Sequence, residues 1–315
     1  MASKKSRITT ASRAAAHPVN KKSSLQSRPE QISARWLLWA ISGTIAAAVL
    51  CAWFVLCLLF WQGSWQLLYH PASQVTHTPA DAGMAFDPIA FAANEAGEPQ
   101  LKGWWIPTAH GGHFSRFTVL VLHGQTGNLS DIVDNLAHTH AAGVNIFAFD
   151  YRGYGQSRFV RPSEAHWRQD ADAAIAYLIA TRHIDAGAIV LDGSGLGANL
   201  ALEVAAAHPE LAGVILESPL PTPMDSMFGD ARARLVPAQL LVPDRYDLDA
   251  AAAKVRISVL WFELNTQDAH NSLNDEPIAY REIANRKTIV WLNPALNLTK
   301  DFAGALSRFL DELPR

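Results

Sequence analysis

The residues with the clearest chemical promise lie in one run, "IVLDGSGLGANLALEVA", Ile189–Ala205. An apolar strand enters a glycine-rich turn and an Ala/Leu helix leaves it. A hydroxyl on such a corner can act as a nucleophile, because the sharp turn lifts its side chain clear of both elements. The same corner can hold a phosphate, because a helix starts with free N–H groups. Two patterns share these letters. The nucleophile pattern G-x-S-x-G needs small residues two before and two after the reactive one, where side chains would clash. Those positions are Gly193 and Gly197, and the residue between them is Gly195. Ser194 stands at the variable position; as nucleophile it would be flanked by Asp192 and Leu196, both too large. The second pattern is a dinucleotide fingerprint, Gly193, Gly195 and Ala198. It has Glu217 about 20 residues on to meet a ribose.

The elements that must position this turn alternate. Strand-like runs are FDPIAFAA, QLKGWWIP, FTVLVLH, VNIFAFD, AIVLDG, GVILES, ISVLWFE and KTIVWL. The middle runs are continuously apolar, as in a parallel sheet covered on both faces. Helical patterns separate the later runs, at 130–142, 163–181, 196–208, 276–285 and 300–312. The fold class expected is α/β: an eight-stranded, mostly parallel sheet with helices on both faces. Sites in such sheets lie at the carboxyl ends of the strands, which is where the glycine turn stands.

The chain has 315 residues, 49% hydrophobic and 17% charged, which excludes a largely disordered protein. Residues 1–35 differ: they hold Lys4, Lys5, Arg7, Arg13, Lys21, Lys22, Arg28 and Arg35 against Glu30 alone. They read as a basic, disordered tail. From Trp36 to Tyr69 there is no charge, with Trp36, Trp39, Trp61 and Trp65 near the ends. About 20 apolar residues suffice to cross a bilayer, and aromatic rings favour its two interfaces. The expected organisation is a tail at 1–35, one transmembrane helix at 36–65 acting as a signal-anchor, a linker at 66–83 and a domain at 84–315. The positive-inside rule puts the N-terminus in the cytoplasm and the domain outside it, in the periplasm if the cell is bacterial. The tail takes 8 of 26 basic residues and 1 of 29 acidic ones, leaving 18 and 28, a net of −10 beyond it. So acidic a domain is a poor nucleic-acid binder. Both cysteines, Cys51 and Cys57, lie in the span, so the domain has no disulfide.

Eight strands in this order, with LLYHP, LKGWWIP, LHGQTGN, FDYRGYGQSR, PSE, ILESP and RFLDEL as landmarks, resemble the α/β-hydrolase family. The likeness is greatest to its small-lid, membrane-anchored branch of serine esterases and peptidases, and it spans residues 65–315. The resemblance implies a serine–histidine–acid triad, and this chain departs from it. The serine position is Gly195. The histidine position, in the loop after the last strand, is Asn297, which cannot serve as the general base. The acid position falls on Gln267, or on Asp268 if the loop is one residue longer. The implied oxyanion hole remains, formed by the backbone N–H groups of Leu196 and Gln125, with His123 and Gly124 opening its loop. The segment 221–249, where the family inserts a lid, is short.

The expectation is a catalytically inactive hydrolase fold with a degenerate triad at Gly195, Asp268 and Asn297. It would act by binding a small molecule or protein. An active hydrolase using Ser194 and a dinucleotide-binding protein are the alternatives. Asp268 and His270 alone do not make a zinc site, so neither metal nor cofactor is expected. The partners expected are membrane lipid along 36–65 and an unidentified ligand.

Overall fold

The computed structural model describes residues 33–108, 111–264, 276–292 and 298–314. Eight strands form one sheet: β1 (Asp87–Ala93), β2 (Pro99–Ile106), β3 (Thr118–Leu122), β4 (Asn145–Asp150), β5 (Ile189–Ser194), β6 (Gly213–Glu217), β7 (Ser258–Leu264) and β8 (Lys287–Leu292). Their spatial order is β8-β7-β6-β5-β3-β4-β2-β1. β1 and β2 pair antiparallel, as do β2 and β4; every other pair is parallel. This is the eight-stranded, mostly parallel sheet expected from the sequence runs, in the arrangement the resemblance implies.

The central strands read as unbroken apolar runs because both faces are covered. Strand side chains alternate between faces, and here the two sets enter separate cores. Leu120, Leu122, Phe147, Phe149, Leu191 and Leu216 belong to one core, with Trp167 and Leu200. Val119, Val121, Ile146, Ala148, Val190 and Ile215 belong to the other, with Leu136 and Leu306. The first is closed by α3 (Glu164–Ala180) and α4 (Leu196–Ala207), the second by α2 (Val133–His140) and α5 (Leu298–Glu312). Helix α3 starts where Ser163 Oγ accepts the His166 N–H at 3.2 Å, a side-chain cap on a free helix donor.

The chain divides into two compact units, Met1–Cys51 and Ala52–Arg315. Helix α1 (Ala34–Gly63) is long and apolar enough to cross a membrane. Its residues Ala34–Val55 are all exposed. Cys57 and Phe60, in its last turns, are buried in the first core.

The segment expected to be a linker, 66–83, packs on the domain instead. Tyr69 is buried, donates to Asp244 Oδ2 at 2.6 Å and meets Tyr246 Oη at 2.9 Å. Its ring also stands edge-on to Trp167. The sequence pattern missed this because the partners lie about 175 positions away. The segment after β6 holds four short helices, Asp225–Phe228, Ala231–Leu235, Ala238–Leu241 and Leu248–Ala252, in keeping with a small cap.

Candidate functional site

The corner between β5 and α4 has Gly195 at its apex. Its φ of 55° and ψ of −122° are costly for any residue with a Cβ. Glycine's freedom suits the position without being demanded by crowding, because a Cβ there would meet only Gln125 Oε1, at 3.3 Å. The neighbouring glycines are required by space. A Cβ on Gly193 would lie 2.7 Å from Ala198 Cα and from Ala201 Cβ. A Cβ on Gly197 would run into the carbonyl oxygens of Leu122 and His123. The apex of this steric frame is therefore residue 195. Ser194 is the last residue of β5, paired in register with Glu217.

Gln125 departs from its expected part. The resemblance implies an oxyanion hole formed by its backbone N–H and that of Leu196. Instead its side-chain carbonyl oxygen accepts from the Leu196 N–H at 3.3 Å. A carboxamide oxygen thus stands on the donor a developing oxyanion would use. The backbone is pinned as well: the Gln125 carbonyl accepts from His70 N at 2.8 Å and from Tyr154 Oη at 2.8 Å.

His123 lies behind this loop, fully closed off, with Nδ1 2.9 Å from the Gly124 carbonyl. Its ring packs against Tyr151 and Tyr154, 4.6 and 5.3 Å between centroids. Its Nε2 has no hydrogen-bond partner and stands 3.6 Å from Asp150 Oδ1. Burial pushes His123 down to about 4 and Asp150 up to about 7, since a low-dielectric pocket disfavours charge on either. Asp150 Oδ1 also accepts the Leu129 N–H at 3.0 Å. The His123 side chain is thus a packed wall, not a ligand-facing group; Gly124 is a close backbone neighbour of Ser194, its would-be Cβ 3.3 Å from the Ser194 carbonyl.

Beside Gly195 opens a cavity of about 500 Å³. It lies at the carboxyl ends of β5–β8. Ser194, Gly195, Glu217 and Ser218 line it with Asn135 and His138 from α2, against an apolar wall that includes Phe262 and Phe302. Next to its floor Asp192, itself buried, is hydrogen-bonded to Glu217. Burial, then the Glu217 charge, holds Asp192 well above the carboxylate range; burial pushes Glu217 to about 7 against the lowering effect of the Asp192 hydrogen bond. Such neighbours share a proton because both cannot ionise cheaply.

Asp268, Gln267, His270 and Asn297 fall outside the described residues. Leu264 and Leu292, which end β7 and β8, both line the cavity. The dinucleotide reading finds its parts engaged elsewhere: the Leu196 N–H is taken by Gln125, and the Glu217 side chain by Asp192. Among the described residues no cluster of His, Cys, Asp and Glu could hold a metal.

Sequence reasoning missed Asn135 and His138. One signal was present: they are three apart on α2, and Val133, Leu136 and Thr139 are the buried set. That leaves Asn135 and His138 together on the opposite face.

Residues 115–271 match the family described as serine aminopeptidase, S33. The YfhR protein of Salmonella typhi is 30% identical over 201 residues, covering 59% of this chain and 65% of that one. That match spans less than two thirds of the relative's length. Mouse alpha/beta hydrolase domain-containing protein 17C is 34% identical over 119 residues, 38% of this chain and 37% of its own. An esterase of Pyrococcus furiosus superposes with a TM-score of 0.58 at 17% identity, covering 78% of this chain and 98% of its own. With the sheet order and the glycine corner, these likenesses lead to one conclusion: the chain has the α/β-hydrolase fold and is similar to proteins of that family.

Proposed function

We propose that this is a membrane-anchored hydrolase-fold protein without a working serine mechanism, which acts by holding a ligand in the cavity beside Gly195. One observation carries the reading: the apex of the nucleophile corner is glycine, and a side-chain carbonyl of the protein itself sits on the Leu196 N–H. A serine mechanism needs a hydroxyl at that apex and a base to take its proton. The base position, Asn297, supplies none. A cavity of about 500 Å³, apolar on one wall and polar on the other, suits a small organic molecule. The anchor is α1, with the tail 1–35 in the cytoplasm and the domain from residue 84 onward outside it. The acidic balance of that domain disfavours nucleic acid.

The test is turnover of a broad panel of short acyl esters by the purified chain. No turnover above the uncatalysed rate is expected, and Gly195→Ser alone should not create any. Ester hydrolysis that survives purification and is lost in Ser194→Ala would overturn the reading. A second reading, an active site built on Ser194, has one observation in its favour: His138 lines the same cavity. It predicts that His138→Ala abolishes such turnover along with Ser194→Ala.

A further inference from the structure

The last turns of α1 are part of the folded domain. Trp53 Nε1 donates to the Leu235 carbonyl at 3.0 Å. Leu56 packs on the first core, and Cys57 and Phe60 are buried in it. Arg161 covers Trp61 and donates to its carbonyl. From Trp53 onward the helix is therefore part of the same compact unit as the sheet.

This sets a depth. The exposed run Ala34–Val55 is 22 residues, about 33 Å at a rise of 1.5 Å per residue, against a hydrocarbon core of about 30 Å. Trp53 lies in the last turn of that run. Indole rings favour the boundary between hydrocarbon and headgroup. The Leu235 carbonyl bonded to Trp53 then lies at the same boundary.

The cap segment at that point is apolar and uncovered. Leu235 is 61% exposed and Leu240 86%. Leu240 edges a groove of about 360 Å³ also lined by Phe228, Ala233, Val236, Pro237 and Ala238. Arg234 directly precedes Leu235 and is exposed; Arg232, also exposed, is paired with Asp230. Leucines tipped outward beside arginines fit a layer that is oily beneath and phosphate-rich above.

We propose that the face carrying Trp53, Leu235 and Leu240 rests in the leaflet from which α1 emerges, so that the domain lies on the bilayer and its cap segment contacts lipid. This rests on the anchor reading above, and the experiment separates the two.

Single cysteines are placed at Leu240, Val49 and Asp311 in a full-length chain with Cys51→Ser and Cys57→Ala. Each carries an environment-sensitive fluorophore, in phosphatidylethanolamine/phosphatidylglycerol vesicles with or without nitroxide-labelled acyl chains. Asp311 is exposed on α5, against the opposite core from Cys57 and Phe60. The expected result is strong quenching at 49, clear quenching at 240 and none at 311. Quenching at 49 with none at 240 overturns the seating and leaves the anchor standing. A disulfide between two copies of the unlabelled Leu240→Cys chain under a mild added oxidant, with no quenching of the labelled one, overturns it in favour of self-association. No quenching at 49 removes the anchor and the seating together. Leu235→Cys repeats the test if Leu240→Cys disturbs the cap, since Leu235 bonds Trp53 through its backbone.

Discussion

Two buried acidic sites flank the glycine corner. One lies behind the loop His123–Gln125. There Asp150 stands beside a neutral His123 within a wall of Tyr151, Tyr154 and Trp167, sealed from solvent. The other lies in front, where Asp192 and Glu217 share a proton at the floor of the cavity. Both hold carboxyl groups that burial keeps from ionising. The back site spends its polar atoms on the protein: Asp150 holds the Leu129 N–H, and the His123 ring supports the loop. The front site leaves Glu217, Ser194 and His138 facing open space. The back site is framework, and the front site opens onto the cavity in which we propose a ligand is held.

Substitutions should divide along that line. The largest effect is expected at the hinge both sites share. Gly197→Ala drives a Cβ into the Leu122 and His123 carbonyls. It should cost about 3 kcal/mol or more, read as loss of the folded chain or a steep fall in Tm. Next is the back site. Asp150→Ala leaves the buried Leu129 N–H without its acceptor and should cost about 2–4 kcal/mol in thermal or denaturant unfolding.

The front site should behave differently. Glu217 is raised from 4.5 to about 7 in the fold, and Asp192 is raised as well. The folded chain therefore binds more protons than the unfolded one between those values. The pair's contribution is full below about 4.5 and is lost as pH rises through about 7. Asp192→Asn replaces the protonated partner by a neutral amide that can donate to Glu217 in its place, so it should change stability by less than about 1 kcal/mol at both pH 5 and pH 8. A variant destabilised as much as Asp150→Ala at both values would break the comparison. The smallest effect is expected at Gln125→Ala. It should change stability by no more than about 0.5 kcal/mol and speed hydrogen exchange at the Leu196 amide, whose acceptor it removes.

Much of this was legible in the residues. The strands were readable because a sheet covered on both faces needs unbroken apolar runs, and TVLVL and NIFAFD supply them. The corner was readable because Gly193 and Gly197 answer a local steric demand carried by spacing. What was hidden depends on distant partners. Nothing near Gln125 indicates that its side chain will reach a helix start 71 positions later. Nothing near His138 indicates a cavity shared with β6 and β7. The helix expected at 276–285 shortens to Ile278–Glu282. Lys287 Nζ caps the Tyr280 and Arg281 carbonyls at 2.7 and 3.0 Å, ending the helix where the chain must turn into β8.

The central claim is that the corner keeps its shape while its reactive group is gone. Incubating the full-length chain with a fluorophosphonate probe and reading the intact mass tests this most directly. The account predicts no adduct on the native chain. A stoichiometric adduct, mapped by peptide sequencing to Ser194 or to any other serine at the cavity, would contradict it.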